Sequence, residues 1–147
     1  MSPKQFVVQP GDRSAALSVI GTSVTVLVSA AEGKSQQVTL QSGDEGTGPP
    51  PHSHDWDESF YVTQGQVQFT CAGKSTMCVA GTFVHVPAGV VHAFNYGPGG
   101  GEMLEITGTG SKAIQMFTAL DREIPPGPPD VQKVVQVAGD HGVTFHI

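Results

Sequence analysis

Basic residues are scarce in this chain: seven Lys plus Arg stand against thirteen Asp plus Glu, for a formal net charge of -6 at pH 7. So few cations can neutralise little phosphate, and no window clusters them with aromatic residues, so no nucleic-acid partner is expected. Long apolar runs are also missing. The longest stretch, around Val24 to Val28, is far too short to span a bilayer, and Met1-Ser2-Pro3-Lys4-Gln5-Phe6 has no apolar region after its positive charge, so the expectation is a cytoplasmic protein without a membrane partner. There are only two cysteines, a number that fits no zinc-binding spacing. Cys71 and Cys78 flank a hairpin turn near Gly73-Lys74. That register pairs Cys71 with Thr76 and Cys78 with Phe69, which predicts two free, partly buried thiols. The acidic balance reads most simply as a solubility feature.

What the chain does have is glycine and proline, 19 and 11 residues, alongside 38% hydrophobic residues. That composition suits many short strands joined by tight turns. Residues 16–28 and 36–41 are β-branched-rich and bounded by Gly and Ser. Residues 59–63, 66–71, 75–79, 82–86, 91–95 and 102–107 are further strand-length runs, separated by turns at Gly65, Gly73, Gly81, Pro87-Ala88-Gly89 and Gly97-Pro98-Gly99-Gly100-Gly101. About eight strands with no room for crossover helices point to an all-β jelly roll or small barrel. The tail differs. Ile114, Phe117 and Leu120 recur at helical spacing, as do Val131, Val134, Val135 and Ala138, so one or two short C-terminal helices are predicted. Asp130 is placed to cap the second helix and Gly139 to end it. Pro125-Pro126-Gly127-Pro128-Pro129 separates the two without marking a domain boundary, because the segment beyond it is too short to fold alone. Residues 1–147 read as one domain.

The chemistry concentrates in four residues. His52 and His54 are two apart, so on an extended chain both imidazoles project from one face and can reach one ion. Glu58 shares that parity, but a straight strand would hold it roughly 20 Å from His52, whereas one ion needs its donors within about 2.0–2.2 Å of itself. The chain must therefore bend, and Asp55-Trp56-Asp57 has the composition of the bend. These three residues read as a solvated turn, with Trp56 a candidate gate at the rim. His92 starts a separate strand and joins the set only through tertiary structure. His85 has outward parity and reads as structural, as do His141 and His146 in the tail. Phe60 and Phe94 each lie two residues beyond a ligand position and are candidates to line a substrate pocket.

Gly46-x5-His52-x-His54-x3-Glu58-x6-Gly65 resembles the first cupin motif at each defining position, and Gly81-x5-Pro87-x-Gly89-x2-His92 resembles the second. Two departures are present. Asn95 comes three residues after His92, where the family pattern has Asn at four, a place held here by Tyr96. Thr82 stands where many members carry Asp. The resemblance covers about residues 40–107, with a tail at about 111–147, and the layout is similar to the quercetinase-like single-domain cupins. It implies a double-stranded β-helix holding one divalent transition metal ion (Fe, Mn, Ni, Co, Cu or Zn) through His52, His54, Glu58 and His92. Three neutral imidazoles and one carboxylate leave a net charge of about +1 with open coordination positions.

The implied activity is a metal-dependent dioxygenase acting on a small aromatic or enolisable substrate. Glu58 would be the catalytic base if an apolar barrel raised its pKa towards neutrality. The alternatives are a non-redox isomerase or lyase and a non-catalytic small-molecule binder. A homodimer formed by extension of the sheet at the β-rich N-terminal third, and a large pocket closed over by the C-terminal helices, complete the expectations.

Overall fold

The structure is a computed structural model that describes residues 4–147; residues 1–3, the start of the N-terminal segment discussed above, lie outside the described residues. In chain order it contains β1 (Leu17–Val19), β2 (Thr22–Val28), β3 (Gln37–Gly43), β4 (His52–Ser53), β5 (Glu58–Cys71), β6 (Lys74–Val79), β7 (Phe83–Val86), β8 (His92–Thr107), α1 (Ala113–Glu123), α2 (Val131–Asp140) and β9 (Thr144–Phe145). All strand pairs are antiparallel. This is the all-β jelly-roll architecture with two short helices.

The organising unit is a ribbon made of β5 and β8, paired from Glu58↔Thr107 at one end to Cys71↔His92 at the other. At the Glu58 end β3 flanks β8 and β7 flanks β5, while at the Cys71 end β4 and β6 take those places. The sequence suggested four separate strands here, broken at Gly65 and at Gly97–Gly101. The structure corrects this, since both strands run through their glycines. The register shifts between Val62 and Gln64 and again between Gly65 and Val67, so the glycines mark bulges that curl the ladder without ending it. Gly65 has φ +66, and a Cβ there would strike the Gly100 carbonyl, so only glycine lets the two backbones approach.

Inward-facing Phe60, Val62, Val67, Phe69, Phe94, Tyr96 and Met103 fill the curled ribbon as one core cluster. The β5–β6 turn differs from expectation. Residues Ala72 and Gly73, both with positive φ, make a two-residue turn, so Cys71 pairs with Lys74 and Val67 with Cys78. The cysteines are free, Cys78 buried and Cys71 half-buried, and burial raises both thiol pKa values.

The tail packs across the barrel end. Phe117 and Leu120 of α1 are buried, and Ile114 is half-buried. Asp130 caps α2 by accepting from Lys133 N, as expected. The buried stripe of α2, however, is Val134, Val137 and Ala138, with Val131 and Val135 exposed. Gly139 stays inside that helix, and Gly142 (φ +79) is the residue that turns the chain left-handed after it. At the N-terminal side, where free edges were expected, the backbone N–H of Ser18 in β1 donates to Asp121 Oδ1 of α1 at 2.7 Å, covering part of that edge.

Candidate metal centre

His52 and His92 are directly paired across β4 and β8, which sets their rings side by side with centroids 4.2 Å apart. After β4 the chain bends at residues 55–57, and two bonds tie the bend to the turn before His92. Ala88 N donates to Asp57 Oδ1 and Gly89 N to the His54 carbonyl, each at 2.8 Å. The bend returns Glu58 to the histidines at the start of β5. One donor atom from each of His52, His54, Glu58 and His92 then lies within 4.8 Å of the others, and all four side chains are buried. Trp56, read from sequence as part of a solvated turn, is instead 8% exposed and lies flat on His54, with centroids 4.2 Å apart and planes 9° from parallel.

The imidazoles are oriented by the backbone. Nδ1 of His52, His54 and His92 lies 2.8, 2.9 and 2.8 Å from the carbonyl oxygens of Pro50, Trp56 and Val90. A carbonyl only accepts, so each Nδ1 carries the proton and each Nε2 offers its lone pair to the centre. This is the outer-shell arrangement that histidine metal ligands use. The donor set therefore fits a divalent transition metal ion.

Some of the same atoms lie within hydrogen-bonding distance of one another. Glu58 Oε2 is 2.6 Å from His54 Nε2 and 2.8 Å from His92 Nε2. Burial alone would push the Glu58 carboxyl up. Hydrogen bonds from His54, His92 and Glu105 outweigh it and hold the group well below the usual carboxylate range. The expectation of a raised Glu58 is thus corrected. The raised carboxyl is Glu105, driven up by its burial and by the charge of Glu58 beside it. Burial and the neighbouring His92 lower His52 to about 4. For His92 burial also opposes charge, but Glu58 more than offsets it and the pKa rises.

The centre opens on a cavity of about 100 Å³, lined by Phe60 and Phe94 among its walls and roofed by Met116, Phe117 and Leu120 of α1. Ligand pockets commonly run to roughly 300 Å³ or more, so the large pocket expected from sequence is here a small one. β9 supplies Phe145 to the wall, whereas no residue of α2 lines it. His85 faces outward and bonds Ser59, His146 bonds Ser53, and His141 bonds the Val137 carbonyl, all away from the cavity.

Sequence reasoning missed Glu105, Gln41 and Thr39, which form a buried polar wall. Thr39 Oγ1 donates to Glu105 Oε1 at 3.2 Å, and Gln41 Nε2 donates to Thr39 Oγ1 at 3.1 Å. The signal was available, because Glu105 shares strand parity with the core residue Met103 and Gln41 shares parity with Thr39.

The curled antiparallel barrel with its buried three-His, one-Glu cluster has the cupin fold. The cupin domain family matches residues 36–107, just under half of the chain. An uncharacterised protein of Streptomyces coelicolor is 33% identical over 63 residues, which is 43% of this chain and 60% of that protein. The polyketide cyclase RemF from Streptomyces resistomycificus is similar in structure, with TM-score 0.63 and 21% identity over 72% of this chain and 80% of that one. An RmlC-like cupin from Shewanella frigidimarina gives TM-score 0.64 and 18% identity over 74% and 95%. At these identities the likeness shows the fold alone, and function has to be read from the site.

No helix of the described residues is long and apolar enough to cross a membrane.

Proposed function

We propose that this cupin is a metal-dependent dioxygenase acting on a small aromatic or enolisable substrate, with one divalent transition metal ion held by His52, His54, Glu58 and His92. The observation that carries this reading is the convergence of three imidazoles and one carboxylate beside a largely apolar cavity. When bound, the ion would act as a Lewis acid and, if redox-active, would support dioxygen chemistry. His52, His54 and Glu58 face the cavity directly, so a substrate hydroxyl entering it meets the ionised carboxylate that can accept its proton. Phe60, Phe94 and the α1 roof keep the ring in a dry slot, which strengthens each polar contact inside it.

A second reading is a non-redox isomerase or lyase, and one feature favours it. Glu58 and Glu105 are two adjacent buried carboxyls whose surroundings drive their pKa values apart, the pattern of a paired base and acid.

Elemental analysis of protein purified without added metal, followed by oxygen-electrode assays with catechols and flavonols, tests the first reading. Oxygen uptake with a matching product supports it, and turnover under nitrogen supports the second. A ligand-induced thermal shift without product from any substrate would replace both with a binding role. Full turnover by Glu58→Gln would remove the proposed base.

A further inference from the structure

The polar wall opposite the α1 roof has a fixed hydrogen-bond direction. Glu105 Oε1 accepts the Thr39 hydroxyl proton, so Thr39 Oγ1 has only acceptor capacity left for Gln41. This orients the Gln41 amide with its nitrogen on Thr39. One amide N–H is thereby engaged within the protein. The carbonyl oxygen accepts no hydrogen bond among the described residues and is available to the cavity that Gln41 lines, on a side chain only 3% exposed. An acceptor facing the cavity favours a ligand that supplies a donor there and disfavours one that supplies a second acceptor.

Charge narrows the ligand further. Among the described residues no Lys or Arg lines the cavity, so a carboxylate or phosphate away from the metal would have no counter-charge there. The size sets a single ring as the upper limit, since an apolar cavity of about 150 Å³, larger than this one, elsewhere accepts no more than benzene.

We propose that Gln41 determines specificity by accepting a hydrogen bond from a hydroxyl on an uncharged, single-ring ligand whose other hydroxyl lies at the metal centre. This rests on the reading of the cavity as the substrate site, and it narrows the substrate class to neutral dihydroxylated rings.

The test measures calorimetric binding of resorcinol, 3-methoxyphenol and 3-hydroxybenzoate to the purified full-length protein, with metal content determined on the same samples. The two resorcinol hydroxyls are too far apart to chelate one ion, so a preference for it does not arise from bidentate metal binding. Wild type is expected to favour resorcinol over both analogues by about ten- to a hundredfold. Gln41→Leu is expected to erase the preference over 3-methoxyphenol. Thr39→Val, a smaller change that only removes the group orienting the amide, is expected to shrink it. Equal affinities in wild type, no binding of any of the three, or an unchanged ratio in both variants overturns the inference. Discrimination by protein that takes up no metal would leave Gln41 in its role and sink the metal-centre reading, whereas metal-loaded protein that fails to discriminate sinks only the role of Gln41.

Discussion

His92 Nε2 lies 2.8 Å from Glu58 Oε2, although the two residues occupy opposite ends of the β5–β8 ribbon, where Glu58 pairs with Thr107 and His92 with Cys71. A straight ribbon would hold those ends roughly 40 Å apart at about 3.3 Å per residue. Curling the ribbon into a barrel is what makes the site, and the bulges at Gly65 and its neighbours allow the curl. Gly65→Ala is therefore expected to destabilise the protein by about 1–3 kcal/mol through backbone strain, with a further loss from the clash with Gly100. Urea denaturation measures the first effect. Unchanged stability together with unchanged metal affinity would contradict this account of the bend.

The stacking of Trp56 on His54 gives a direct optical readout, since the chain has one Trp. Titrating zinc or nickel into metal-free protein is expected to change its fluorescence as His54 takes up the ion. Trp56→Ala leaves the backbone carbonyl that orients His54 but removes the stacked plane. A loss of about 10–100-fold in metal affinity is expected, the usual cost of removing an outer-shell support. An affinity equal to wild type would show that the backbone carbonyl alone suffices.

Protons and metal compete for the same atoms. With its Nδ1–H committed to a carbonyl, the contact of His92 with Glu58 needs a proton on Nε2, and the raised pKa of His92 means that this proton persists above pH 6.5. Metal binding must release it, so apparent affinity is expected to fall as pH drops through that range. His52, lowered to about 4, adds no competition until more acid conditions. Calorimetry at pH 7 in buffers of different ionisation enthalpy measures the protons released, and none released would refute the proposed proton sharing.

Glu105 should cost the metal-free fold stability at neutral pH. Its folded pKa is raised, so between the ordinary value of 4.5 and that raised value the folded protein binds more protons than the unfolded chain. Its contribution is therefore lost as pH rises through the window. Glu105→Gln keeps a partner for Thr39 while removing the second buried carboxyl, and it is expected to raise Tm at pH 8 more than at pH 5. Each kcal/mol gained corresponds to about 2–4 °C. A variant less stable than wild type at both pH values would argue against like-charge strain between Glu58 and Glu105.

The ligand spacing was legible because coordination chemistry dictates residue type. Two histidines at i and i+2, a Glu of the same parity and a distant Pro-x-Gly-x2-His are readable before any fold is known, as were the β-rich pattern, the two tail helices and the Asp130 cap. The helix ends were less legible. Gly139 looked like a terminator, but packing of Val137 and Ala138 carries α2 past it to Asp140. The hairpin register was misread because Ala72, which has no special turn chemistry, adopts a positive φ and takes the place expected of Lys74.

The sequence by itself determined which atoms could bind an ion, since imidazole and carboxylate chemistry is local to each side chain, and it determined the alternation that makes strands. Tertiary structure decided where those atoms meet. The closure of the β5–β8 ribbon brings Glu58 to His92, and β9, from the far end of the chain, pairs Phe145 with His52 to complete the wall. It also decided the polarity of the cavity, because Gln41 and Glu105 line it together only when β3 and β8 lie side by side. Such contacts join residues far apart in sequence, and no local periodicity encodes the distance between them.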